Sequence, residues 1–237
     1  MVLRDNNTYL IHRVINQFDI KTNNAVHKLI LVFLFFTHYT FAQTDDWTLR
    51  ENNNGVQIFT RNIANSKIKA IKVECHLDAS LSQVVSALMD IKNSEEWLYH
   101  TAGNYLIKQV SASELYYYSL VEMPWPVSNR DFIAHLKVTQ DEATKTVTID
   151  APCIPDMVPV KAGIVRIANS KGKWIITPVN NNQVKILYTL HADPGGSIPS
   201  WLTNLFVTQG PSQSFKKFKQ HIQKPVYKNA RLDYIVN

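Results

Sequence analysis

The stretch HADPGGSIPSWLTNLF, residues 191–206, constrains the fold of this chain more than any other. Ahead of it Val184, Ile186, Tyr188 and Leu190 recur at every second position, the period of a strand with one dry face. Pro194 presets φ for a turn, and Gly195 and Gly196 supply the positive φ values that other residues resist, so the strand ends abruptly. Ser197 can then cap a helix, Pro199 suits its first turn, and Trp201, Leu202, Leu205 and Phe206 return at helical spacing. The last strand therefore runs straight into a long apolar helix. Gly210-Pro211 interrupts that helix, since proline removes a hydrogen bond and bends the axis, either as a hinge or as a bend around the sheet.

Upstream the chain reads mostly as strands. GVQIFTR (55–61) and SKIKAIKVECHL (66–77) come first, and in the second Ile71, Val73, Cys75 and Leu77 alternate with Lys72, Glu74 and His76. Asp78 or Ser80 can cap LSQVVSALMDI, where Leu81, Val84, Val85, Leu88 and Met89 keep helical spacing, and NSEEW reads as a second short turn. Strands resume with NYLIKQVS, ELYYYSLVEM, DFIAHLKVTQ, KTVTIDA, GIVRIANS, GKWIITPV and QVKILYTLHA, joined by short turn-rich pieces that make neighbours antiparallel. One connector differs. PCIPDMVPVKA, residues 152–162, holds three prolines and the apolar Ile154, Met157 and Val158, so it covers or gates something. The order predicts an α+β helix-grip fold: a curved antiparallel sheet wrapped around the C-terminal helix, burying Trp201, Leu202, Leu205, Phe206, Phe215, Phe218 and Ile222.

The first 42 residues stand apart. Lys28 precedes eight unbroken apolar residues, Leu29 to Phe36, and the segment ends in Phe41-Ala42-Gln43, which predicts an export signal cleaved after Ala42 and a domain over residues 43–237. A membrane-spanning helix needs roughly 20 apolar residues, far more than this run holds. The removed piece carries Arg4, Arg13, Lys21 and Lys28 against Asp5 and Asp19, so the charge of +6 falls to +4. With its positive residues scattered except in the last helix, the chain lacks the basic stripe of a nucleic-acid binder. In that helix Lys216, Lys217, Lys219 and Lys224 flank Phe215, Phe218 and Ile222, which suits either a solvated face or transient contact with an anionic membrane. Cys75 and Cys153 are the two cysteines; export permits a disulfide, and a free buried thiol fits Cys75 equally well.

Several segments together resemble the START domain, the steroidogenic-acute-regulatory-protein-related lipid-transfer family. They are Glu96-Trp97, PVSNRDF (126–132), VPVKAGIVRI, GKWIITPV, and Asp193 with Pro199 and Trp201, in the family's order over Trp47 to Gln223. The resemblance implies a sheet gripping the C-terminal helix around a tunnel for one lipid or sterol, shared with Bet v1-like helix-grip folds. It implies a lid made by that helix with Ile154, Met157 and Val158, and a carrier that works as a monomer without metal or cofactor. Phe132, Ala134, Leu136, Tyr188, Leu205, Phe206 and Phe218 would line the tunnel, and Tyr116, Tyr117, Tyr118 or Thr189 would bond the ligand's polar end. Some members carry a buried acid and base in the tunnel; by ungapped register from Arg130 those positions are Tyr117 and Leu136 here, so sterol specificity is not implied.

No enzyme motif is present: no Gly-x-Ser-x-Gly elbow, no His-Glu-x-x-His, no Cys-x-x-Cys and no phosphate-cradling glycine loop. His76, His135 and His191 fall on the polar side of their strands, with no carboxylate at a spacing that would orient them. Arg130-Asp131 at a strand start reads as an ion pair or capping pair that fixes the turn, and Asp193 as a turn-former. Trp125, between Pro124 and Pro126, either fills a sheet edge or stands at the tunnel mouth. A carrier of apolar molecules is the expectation; a cyclase-like or aromatase-like enzyme of the same superfold, or an interaction module with a filled core, are the alternatives.

Overall fold

The computed structural model describes residues 47–237 apart from residues 65, 67, 197, 200, 201, 203 and 204 and the side chain of Leu205. The predicted export signal, its cleavage point after Ala42, Ser197 and Trp201 lie outside the described residues. Ten strands among the described residues form one sheet: β1 (Thr48–Asn53), β2 (Val56–Arg61), β3 (Ala70–Leu77), β4 (Thr101–Ser111), β5 (Glu114–Val121), β6 (Arg130–Gln140), β7 (Val147–Pro152), β8 (Val165–Arg166), β9 (Asn169–Asn180) and β10 (Gln183–Asp193). They lie in the order β1-β2-β3-β10-β9-β7-β6-β5-β4, each pair antiparallel, with β8 off this path. The sheet is curved and the C-terminal helix completes the α+β architecture expected from the order of elements.

Helix α1 (Leu81–Met89) starts at Ser80, whose hydroxyl accepts the Gln83 N–H at 3.2 Å. A 3₁₀ turn, Ile91–Glu96, follows behind an Asp90 cap. After β10 the chain winds as a π-helix over Leu205–Gln209, then as α2 (Gly210–His221), and ends with α3 (Pro225–Lys228). Pro211 has no N–H to give and its ring opposes the carbonyl four residues back, so the wider π turn just before it relieves the clash and keeps the helix continuous. Ile58, Val73, Ile149, Ile176, Val184 and Ile186 are fully buried on the sheet's inner face, where Phe215, Phe218 and Ile222 of α2 join them. The C-terminal tail returns to α1, where the Asn237 side-chain oxygen accepts the Ser82 N–H at 2.8 Å.

Two local readings are corrected, and an open one is decided. Strand β1 was not expected, because Leu49 is the lone apolar residue of TLRENN and leaves no alternation to detect. Its signal is the turn instead: Asn54 and Gly55 both take positive φ, +50° and +72°, as a two-residue hairpin requires. The predicted strand GIVRIANS splits into the two residues of β8 and the start of β9, and β8 runs parallel to β6 because the loop after β7 returns the chain in the direction of β6. Finally, Cys75 and Cys153 are free thiols: Cys75 sits on β3 opposite Ile186, and Cys153 bridges to Ala134 several strands away.

Candidate functional site

Strand alternation sends successive side chains of β6 to opposite faces, and this sorts the site. Arg130, Phe132, Ala134 and Leu136 face inward onto a cavity of about 300 Å³ between the sheet and the helices. Tyr117 of the neighbouring β5, Trp174 of β9 and Tyr188 of β10 line it too, and Phe206 with Phe215 closes it from the π turn and α2. The aromatic rings pack on one another there. Trp174 lies 4.3 Å from Tyr188 and 5.4 Å from Phe215, centroid to centroid, and Trp97 meets it edge-on at 6.4 Å.

Of the residues expected at a ligand, Tyr117, Phe132, Ala134, Leu136, Tyr188 and Phe206 stand in this wall. Tyr116, Tyr118 and Thr189 do not, since each is one position out of phase with a lining residue on its own strand. Tyr116 stacks on His135 at 4.3 Å on the outer face. Phe218 is fully buried behind the wall, 4.7 Å from Trp97, and Phe215 one turn earlier takes the lining position. For Leu205 the side chain lies outside the described residues. Trp174 was missed although it falls in phase with the apolar Ile176 on β9; a bulge between Gln183 and Val184 then sets it opposite Tyr188, on the same face.

Ile154, Met157 and Val158 are not part of the wall. Asp131, out of phase with Arg130, points to the outer face, and its register partner Arg166 donates to it at 2.7 and 3.1 Å. The same guanidinium donates to the carbonyls of Pro155, Val158 and Pro159, which holds that segment on the outer side of the sheet. Burial and the Asp131 carboxylate push the Tyr118 hydroxyl there up to about 12. Arg130 and Asp131 are therefore no pair; each belongs to a different face. Asp193 forms the turn, its Oδ1 accepting the Gly195 N–H at 3.0 Å. Trp125 is 90% exposed at the β5–β6 connection and fills no sheet edge.

Carboxylates do reach two histidines, across strands or helices rather than along the chain. Glu114 meets His135 Nε2 at 2.7 Å, and Glu96 meets His221 Nδ1 at 3.2 Å, but neither histidine lines the cavity. Inside it, burial raises the Tyr117 and Tyr188 hydroxyls and the Cys153 thiol, the last to about 11, so all three stay protonated and neutral. Arg130 is the exception. It is 3% exposed, and desolvation alone lowers its affinity for its proton. Lys69 and Glu122, the other charged groups of the wall, are more exposed.

A START domain family model matches residues 40–228. An uncharacterized protein of Pseudomonas aeruginosa is 31% identical over 183 residues, covering 77% of this chain and 90% of that one. The phosphatidylcholine transfer protein of Bos taurus is 25% identical over 169 residues, 69% of this chain and 78% of its own. Among solved structures, a fragment of a STAR-related lipid transfer protein from Xanthomonas axonopodis shares 33% identity with a TM-score of 0.70, covering 76% of this chain and 100% of that one. With sheet, closing helix and sequence in agreement over most of its length, this chain belongs to the START domain family.

Proposed function

We propose that this protein holds one lipid, or an apolar molecule of similar size, in the cavity under α2 and carries it between membranes or partners. The observation that supports this reading best is the unfilled space itself. Protein interiors close-pack with few voids larger than a water molecule, yet about 300 Å³ stays open here between Leu136, Ile149, Trp174 and Phe215. That volume lies at the lower end of ligand pockets, which run from roughly 300 to 1,000 Å³, and the wall is mostly hydrocarbon and aromatic with a few polar groups. Burying a chain there offsets the cost of removing it from a bilayer, about 0.8 kcal/mol for each CH₂ exposed to water. The family and the relatives named for lipid transfer support the same reading. The apolar run behind Lys28, read as an export signal, supports an exchange outside the cytoplasm.

Organic extraction of the purified protein followed by mass spectrometry is the test. A stoichiometric lipid, and transfer of labelled lipid between liposomes, is the expected result. Protein that emerges empty and transfers nothing overturns the proposal.

A further inference from the structure

Arg130 is a buried cation without an anion. Its Nη1 donates to the Ser128 carbonyl and its Nη2 to the Gly195 carbonyl at 3.4 Å, while Nε, also buried, has no partner. Among the described residues no carboxylate lies within ion-pair distance of it. The nearest acid in sequence, Asp131, is turned to the opposite face and committed to Arg166. Two carbonyl dipoles do not balance a full charge removed from water, and Glu122, the one carboxylate of the wall, is exposed and makes no ion pair with Arg130, so the guanidinium has an unmet electrostatic demand inside a mostly apolar cavity.

A guanidinium presents a planar fork of five donors that matches the two oxygens of a carboxylate or phosphate. The glycine turn lies directly beside that fork. Gly195 and Gly196 hold φ of +66° and +61°, and a side chain placed at Gly196 would come within 3.9 Å of Arg130 Nη2. Pro194 and Ile198, on either side, belong to the same wall.

We infer that Arg130 is the receptor for an anionic oxygen group on the ligand, so that the molecule carried is an amphiphile with a carboxylate or phosphate head and a hydrocarbon body. The inference rests on the lipid-carrier reading and makes it more specific. The ligand anion supplies the missing counter-charge, and the apolar wall takes the chain.

The test compares probes that share a chain and differ in head. Delipidated full-length protein is titrated at pH 8 with palmitate and with 1-hexadecanol, then with a monoacyl glycerol phosphate and with the corresponding monoacylglycerol. Inorganic phosphate is titrated alone, and intrinsic tryptophan fluorescence and thermal shift are the readouts. Both anionic amphiphiles are expected to bind at least tenfold more tightly than their neutral partners, with no shift from inorganic phosphate. In R130Q the preference disappears, and in R130K a weaker one remains because a point charge replaces the fork.

Equal binding of charged and neutral probes by the wild type, or a preference that survives in R130Q, overturns the inference and leaves the carrier reading standing. Binding of inorganic phosphate as strong as that of the amphiphiles also overturns it. Absence of binding by all four amphiphiles removes the carrier reading as well. The wild-type comparison decides the matter even if R130Q fails to fold.

Discussion

At Arg130-Asp131 a single peptide bond separates two opposite fates. Strand alternation sends Arg130 into the cavity and Asp131 to the outer face, where it is fully buried against Arg166. Reading these neighbours as partners fails because residues adjacent on a strand face away from each other. Their true partners come from β8 and from the Gly195 turn, 35 and 65 residues away. Asp131→Asn leaves the Arg166 guanidinium with carbonyls but no counter-charge, in a place almost closed to water. The expected cost is about 3 kcal/mol, measured by urea unfolding, since breaking one side of a buried pair is strongly destabilising. A change within error would mean that the carbonyls of Pro155, Val158 and Pro159 satisfy Arg166 by themselves.

Among elements, α2 depends most on what lies far from it. Phe218 is fully buried between Trp97, just after the 3₁₀ turn, and Trp174 of β9, at 4.7 and 6.2 Å. Phe218→Ala should cost about 3 to 5 kcal/mol, the range for removing a buried aromatic ring, read as a lower denaturation midpoint. A loss under 1 kcal/mol would show that α2 is not clamped there. The lysines of this helix and just beyond it are partly engaged: Lys219 donates to the Asn54 carbonyl at 2.8 Å and Lys224, after the helix, pairs with Glu96, while Lys216 and Lys217 are exposed. Helical spacing revealed the apolar stripe of α2, and the Gly-Pro step revealed a disturbance in it. The form of that disturbance, a π turn instead of a kink, depends on how the helix must lie against the sheet, which spacing does not encode.

For the molecule as a whole, the open space under α2 is the feature that matters. Ala134 is buried in its wall between Phe132 and Leu136, so Ala134→Phe adds a ring where nothing now stands. The variant should still unfold cooperatively, with a melting temperature within a few degrees of the parent, while lipid uptake from vesicles drops at least tenfold. Unchanged uptake would place the ligand elsewhere. Apart from β1 and β8, the order of strands and helices, the turn at Asp193 to Gly196 and the apolar face of β6 were legible in the sequence, because periodicity and turn chemistry act over a few residues. Which tyrosines reach the cavity, whether that cavity is empty, and that Arg130 faces it without an acid were decided by tertiary structure alone. An apolar pattern marks a face to be covered; only side chains brought together from β5, β6, β9, β10 and α2 determine how much of the space opposite is filled.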